Sequence, residues 1–482
     1  MNYGIVTKIL GNLLLFNIIA LLPSIGISIY YGENDYMAFI LTIIIILLFS
    51  VPMSLVKPNS KKIRGKEALL IVAFGWLLFA AFGALPFVIS GSIPSYVDAF
   101  FETISGLTTT GATILNDIEI LPRGILFWRS LTHWLGGMGI LVLTLAILPL
   151  IGVGGVQIFK AESPGPEADK LAPRMRDTAK ILYTAYLGIT IAQVTLLSLG
   201  GMSLYEAFVH TFGTVGTGGF STRNASIGAF NSVYIEMVIT FFMIASGVNF
   251  SLYYGLYKGR WKDIYKNAEL RLYLTIIIIA FILISINLYG ETYSTIGETL
   301  RYSIFQVGSI ITTTGYTTTD FDLWPTFSRG ILFTLMFIGG CAGSTGGAIK
   351  NIRILILLKL VKREFGKIIR PRALIPVRIQ KKLISTDIVA SVTSFFFLYI
   401  LIFIGGTLLI SLEGIGLVSS ASAVAATLGN IGPGFDLVGA TRNYSFFSVP
   451  SKLLLSLLML LGRLELFTIL VIMTPNFWRK EI

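Results

Sequence analysis

Apolar residues in this chain come in blocks of about 20, the length a helix needs to cross a bilayer. Ten such blocks can be drawn, at 9–31, 36–56, 68–90, 125–151, 181–200, 233–257, 272–289, 330–358, 388–410 and 450–473. A chain that repeats this length ten times is expected to be an all-α polytopic membrane protein. Composition agrees: 54% of the 482 residues are hydrophobic and 13% charged. A typical soluble protein carries about 25% charged residues, so a soluble enzyme is disfavoured and a disordered chain excluded. The mean hydropathy is +0.80. The first block is too long and uninterrupted for a cleaved signal peptide. Cys341 is the single cysteine, so no internal disulfide forms. With only His133 and His210 beside it, a metal site of the usual kind is not expected.

Charge placement gives the orientation. Loops 57–67, 160–180 and 258–271 hold five Lys or Arg each and loop 359–382 holds nine. All four follow an even-numbered span, which puts them, with both termini, in the cytoplasm. Topogenesis alone accounts for this, and docking of a cytoplasmic partner is the additional reading. The net charge of +12 therefore does not point to nucleic acid. The opposite segments lean acidic, with Asp98, Glu102, Glu206, Glu298, Asp320, Asp322 and Asp436 among them. A negative outer mouth would concentrate cations; exclusion of positive charge from that side is the plainer account.

Those outer segments, 91–124, 201–232, 290–329 and 411–449, repeat one another. Each opens with a short apolar stretch fit for a half-helix and reaches a Thr/Gly-rich turn. The turns read Leu107-Thr108-Thr109-Thr110-Gly111, Thr214-Val215-Gly216-Thr217-Gly218, Ile311-Thr312-Thr313-Thr314-Gly315 and Leu428-Gly429-Asn430-Ile431-Gly432. Aligning Gly111, Gly218, Gly315 and Gly432 spaces them by 107, 97 and 117 residues. Arg123-Gly124-Ile125-Leu126-Phe127 also returns as Arg329-Gly330-Ile331-Leu332-Phe333. The expectation is four tandem helix–pore loop–helix repeats with pseudo-fourfold symmetry around one pore, after two N-terminal transmembrane helices. The corresponding units are 1–66, 67–160, 161–260, 261–370 and 371–482.

Extended backbone at membrane depth is tolerated only where it is buried in protein or lines a wet cavity. Four such turns around one axis would present rings of carbonyls able to replace a cation's hydration shell. Glycine supplies the left-handed dihedrals this requires. The expected filter is Thr109, Thr110, Gly111, Gly216, Thr217, Gly218, Thr313, Thr314, Gly315, Asn430, Ile431 and Gly432, with cation binding confined to these residues. With one glycine shared by all repeats, selectivity should be real but not strict.

On these turns, on Gly339-Gly340-Cys341-Ala342-Gly343-Ser344-Thr345-Gly346-Gly347 and on Gly462-Arg463-Leu464-Glu465-Leu466-Phe467-Thr468, the chain resembles the membrane subunit of the Trk/Ktr potassium transporters over almost its whole length. The stretch Thr474-Pro475-Asn476-Phe477-Trp478 belongs to the same likeness, and the two extra N-terminal spans look like the Trk branch. The resemblance implies potassium uptake across a prokaryotic plasma membrane, a pore within each subunit, a homodimer and a cytoplasmic nucleotide-binding regulatory subunit. It places K+ as the transported ion, with Rb+ and Na+ as further candidate ions and no organic cofactor.

Two features bear on gating. Gly339, Gly340, Gly343, Gly346 and Gly347 crowd the middle of span eight, where each glycine costs about 1 kcal/mol relative to alanine. The helix should break there, below the filter, at the position of the family's gating loop; close packing by small residues is the alternative. Lys350 and Arg353 follow, and either mark the inner exit or snorkel to the interface. Arg463 lies midway along span ten, where a charge usually faces water or a partner. By resemblance it is the pore-facing arginine; Glu465 projects from another face. His133 and His210 are read as packed or interfacial groups rather than ligands, with Thr132-His133-Trp134 placed as an interfacial belt, and Gly136, Gly137 and Gly139 as tight packing. Gly152-Val153-Gly154-Gly155 lacks the residues of a phosphate loop, and no ATPase motif is present. A gated pore driven by the membrane potential is the favoured function. The alternative is a secondary transporter coupling K+ to Na+ or H+ by alternating access, a class that places inverted repeats and ionisable groups at the midplane. Here the repeats are parallel, and Glu236 and Glu465 are the main carboxylates within spans.

Overall fold

A computed structural model describes residues 1–58, 60, 63–139, 175–380 and 382–479. Among these the fold is helical, apart from short 3-10 turns and a two-residue strand pair, Arg378–Ile379 with Lys382–Leu383. Six helices are long and apolar enough to cross a membrane: Tyr3–Tyr31, Tyr36–Leu55, Gly65–Ile89, Ala179–Leu199, Ala268–Leu288 and Thr386–Ser411.

The first two form an antiparallel hairpin. Its helices approach so closely that a side chain at Gly11 would strike the Ser54 backbone at 2.6 Å. Each of the other four opens a unit with the same order of parts. A short helix follows (Tyr96–Leu107, Leu204–Val215, Ile296–Ile311 or Leu417–Leu428), then an irregular turn, then a second helix beginning at Arg123, Val233, Thr326 or Val449. Three short helices start on a hydroxyl: Ser95 accepts from the Asp98 N–H, Ser203 from Glu206 and Thr295 from Glu298. The hydroxyl satisfies an orphan donor, and the acid suits the positive end of the helix dipole. The fourth starts at Gly416 without a side-chain cap. Every short helix ends at its Thr/Gly turn, so the negative end of its dipole meets that turn.

Three expected spans are interrupted. The block 233–257 is two helices, Val233–Ser246 and Phe250–Tyr257, bent by 96°. At the bend the Tyr273 hydroxyl lies 2.3 Å from where a Gly247 side chain would begin, and Asn249 caps the second helix. The block 330–358 ends its first helix at Leu335 and resumes at Asn351. The block 450–473 breaks after Arg463, where Glu465 (φ 58°) and Leu466 (φ 48°) are left-handed. The break in 330–358 falls at the expected glycine-rich run, whereas the blocks 233–257 and 450–473 read as straight spans because apolar residues flank both of their bends. The end of the block 125–151, Gly152-Val153-Gly154-Gly155 and the basic residues Lys61, Lys62, Lys160, Lys170, Arg174 and Lys381 lie outside the described residues.

Polar ties join neighbouring units. Arg129, buried against Glu102 of its own unit, donates to the Ser221 carbonyl of the second at 3.2 Å. Glu236 pairs with Arg301 between the second and third units. Lys452 pairs with Asp98 between the fourth and first at 2.6 Å.

Candidate functional site

The four turns share one backbone path. The residue after each short helix (Thr108, Gly216, Thr312, Gly429) still bonds back to the helix. The next is left-handed: Thr109 (φ 55°), Thr217 (58°), Thr313 (60°) and Asn430 (55°). The N–H of the third (Thr110, Gly218, Thr314, Ile431) returns to the carbonyl of Ser105, Gly213, Ser309 or Ala426 at 2.7–2.9 Å. The fourth is a left-handed glycine: Gly111 (81°), Gly219 (79°), Gly315 (79°) and Gly432 (98°). This path corrects the sequence alignment in the second unit. The counterpart of Thr109-Thr110-Gly111 is Thr217-Gly218-Gly219, one residue beyond the expected Gly216-Thr217-Gly218.

The turns close into a ring. A side chain on Gly111 would begin 2.0 Å from the carbonyl oxygen of Gly218. One on Gly219 would meet the Thr314 oxygen at 2.1 Å, and one on Gly315 the Ile431 oxygen at 2.0 Å. One on Gly432 would meet the Thr110 oxygen at 2.6 Å, which returns to the first unit. Each glycine is thus required twice, by its dihedral and by the neighbour's carbonyl. Among the described residues no donor reaches the carbonyls of Thr110, Gly218, Thr314 or Ile431. Buried carbonyls without a protein donor are what a dehydrated cation needs. All four left-handed glycines line one cavity, together with Arg129 and Tyr444.

A second cavity is lined by Gly346, Gly347, Lys350, Arg353 and Arg463. Here the broken segment 336–350 lies against the turns of the third and fourth units. The Gly347 N–H donates to Thr313 Oγ1 at 2.7 Å and the Ala348 N–H to the Gly429 carbonyl at 2.9 Å. A side chain on Gly347 would strike that carbonyl at 2.4 Å, and one on Gly339 would strike the Gly347 carbonyl at 2.0 Å. The Cys341 N–H reaches the Gly247 carbonyl at 2.8 Å, and Gly340 lies beside the same backbone. Gly343 is left-handed, and its carbonyl accepts from the Phe250 N–H. Arg463 donates to the Thr345 carbonyl at 2.7 Å and to the Gly137 carbonyl at 2.8 Å, joining the segment to the first unit.

A family model described as TrkH, cation transport protein, matches residues 35–480. The chain is 39% identical to the Trk system potassium uptake protein TrkH of Escherichia coli K12, over the full length of both. It is 35% identical to TrkG of the same strain over 99% of each chain. The crystal structure of the potassium transporter TrkH from Vibrio parahaemolyticus superposes with a TM-score of 0.89. That match has 35% identity and covers 99% of this chain and all of the other.

The chain belongs to the TrkH family. It is therefore a multi-pass membrane protein of potassium uptake, with K+ as the transported ion, and not an enzyme. Within this TrkH fold several side chains stand where sequence reasoning did not put them. Lys350 and Arg353 are 3% and 6% exposed, so neither snorkels. Lys350 caps the Gly346 carbonyl, and Arg353 pairs with Glu465. Glu269 accepts from the Ala342 and Ile352 N–H groups at 2.7 and 2.9 Å, supporting both ends of the glycine-rich segment. Asn430 Nδ2 donates to Thr110 Oγ1 at 3.0 Å and to the Met459 carbonyl at 2.8 Å. His133 and His210 are fully buried and packed rather than interfacial, and both hold the segment that leaves the second turn. Gly136 and Gly137 are tight contacts, against the Leu107 carbonyl and Gly216.

Proposed function

We propose that this protein takes up potassium across a prokaryotic plasma membrane through one pore per subunit, with the ring of four turns as its filter. The closure of that ring, glycine against carbonyl through all four units, carries the reading. Thr109, Thr110, Gly111, Thr217, Gly218, Gly219, Thr313, Thr314, Gly315, Asn430, Ile431 and Gly432 form the filter, and K+ is cargo there. Gly339, Gly340, Gly343, Gly346, Gly347 and Arg463 belong to the gate. The segment 336–350 touches two filter turns, and Arg463 ties it to the first unit, so its displacement would open the inner side. Units 1–66, 67–160, 161–260, 261–370 and 371–482, both termini in the cytoplasm, a homodimer and a cytoplasmic nucleotide-binding regulator complete the proposal. The membrane potential would drive uptake, at about 2.3 kcal/mol per charge per 100 mV. Coupled transport is less well supported: Glu236 and Glu465, the carboxylates it would draw on, are each paired with an arginine.

Rb+ flux into potassium-loaded proteoliposomes tests this, with Na+ as competitor. Uptake should follow the imposed potential, prefer K+ and Rb+, and fall in Gly315→Ser. Uptake that requires a Na+ or H+ gradient and ignores Gly315→Ser would remove the filter and favour coupled transport.

A further inference from the structure

Three of the four turns carry a β-branched residue at the third position: Thr110, Thr314 and Ile431. Such side chains stiffen the backbone that bears them. The second turn has Gly218 there, whose carbonyl is nonetheless the one that seats against Gly111. The least constrained residue thus occupies a place where position matters as much as in the other three.

The missing side chain has a substitute. An ideal Cβ on Gly218 would lie 2.3–2.5 Å from Nδ1, Cγ and Cε1 of His133, a residue of the preceding unit. The imidazole therefore fills the volume a side chain would take. The ring is held at both ends. Nδ1 stands 2.7 Å from the Gly106 carbonyl, so it must carry the proton and donate. Nε2 is then free to accept from the Phe220 N–H at 3.2 Å, two residues past Gly218. The ring also stacks on Phe220, with centroids 4.1 Å apart, and Arg129 lies over Phe220 at 3.5 Å.

We propose that His133 is a specificity-determining positioning residue: its imidazole replaces the side chain that Gly218 lacks and sets the Gly218 carbonyl in the ring. His133 touches no ion on this account and acts through the second turn. The proposal rests on the ring being the filter.

The test is a compensating pair, read as the Rb+-to-Na+ uptake ratio in proteoliposomes and normalised to folded protein. His133→Ala should retain uptake while the ratio falls by about tenfold, the factor corresponding to about 1.4 kcal/mol. His133→Gln, which offers both a donor and an acceptor, should keep most of the ratio. Gly218→Thr alone should abolish uptake by collision with the ring. Gly218→Thr with His133→Ala should regain uptake and much of the ratio, because the second turn then carries a β-branched side chain at its third position, as the other three do. An unchanged ratio in His133→Ala, or a double variant no better than Gly218→Thr, overturns the proposal. Should His133→Ala not fold, Gly218→Thr and the double variant still decide it, since only the steric exchange makes the double the better protein. Failure of the filter itself is separately visible as indifference of the parent to Gly315→Ser.

Discussion

The first and third turns support themselves, whereas the second and fourth are supported from outside. Thr108 and Thr110 share a hydroxyl–hydroxyl bond of 2.8 Å, and Thr312 and Thr314 repeat it at 2.8 Å. The equivalent pairs are Gly216 with Gly218 and Gly429 with Ile431, which have no hydroxyls to share. His133 braces the second turn, and in the fourth Asn430 reaches across to Thr110 and to Met459. The backbone ring is fourfold, but its side-chain support is twofold. Ring geometry is what a selective ion site depends on, and support can vary as long as the carbonyls stay in place.

The largest effect should come from breaking the fourfold part. Alanine at Gly111, Gly219 or Gly315 must be left-handed, at about 1–2 kcal/mol, and must also displace a carbonyl. Rb+ uptake should drop to that of protein-free liposomes in all three. Gly219→Ala is the informative member, because the sequence alignment singles out Gly218. Normal uptake in Gly219→Ala would undo the corrected register.

A smaller effect separates the third turn from the first. Thr109 and Thr313 have nearly the same left-handed dihedral. Thr313 Oγ1 accepts from Gly347 of the broken segment, while Thr109 Oγ1 has no partner among the described residues. Valine keeps the β-branching at both sites, so strain cancels in the comparison. Thr313→Val should raise basal flux by about tenfold, the loss of one buried hydrogen bond from the closed arrangement. Thr109→Val should leave it unchanged. Equal behaviour would detach the segment 336–350 from gating.

Much of this was legible in the sequence, for reasons the structure explains. The turns stand out because β-branched and glycine residues meet where a helix must stop between two apolar blocks. The break at 339–347 was legible because five glycines cannot be accommodated cheaply in one helix. The register of the second turn was not legible. Gly218-Gly219 offers two glycines, and the group that distinguishes them is His133, 85 residues earlier. The 96° bend was hidden for a similar reason, since Tyr273 and Cys341 enforce it from elsewhere in the chain. One signal was present and unread: Ser95-Tyr96-Val97-Asp98, Ser203-Leu204-Tyr205-Glu206 and Thr295-Ile296-Gly297-Glu298 share a cap spacing that marks three short-helix starts.

The hydroxyl pairs give a third contrast. Thr314→Val removes only the bond to Thr312. Thr110→Val removes the bond to Thr108 and also one of the two acceptors of Asn430 Nδ2. Thr110→Val should therefore be the less stable by about 1 kcal/mol, read as the difference in unfolding midpoint of the purified variants. Equal midpoints would mean that Asn430 supports its own turn alone.

The joints between units differ most weakly, and in sign. Between the third and fourth units Asp322 accepts from the Asp436 N–H at 3.1 Å. Burial, and then the carboxylates of Asp320 and Asp436, push its pKa from 3.8 to about 6, against that hydrogen bond and Arg329. Between these two values the folded protein holds more of this proton than the unfolded chain does. The stability it contributes is full below about pH 4 and is lost as pH rises through about 6. Asn mimics the protonated form, so Asp322→Asn should melt higher than the parent at pH 7 and level with it at pH 4. The joint between the fourth and first units should respond the other way. Asp98→Asn leaves the buried Lys452 ammonium without its carboxylate, and the midpoint at pH 7 should fall. Opposite signs at the two joints would show that charge closes one side of the ring and strains the other.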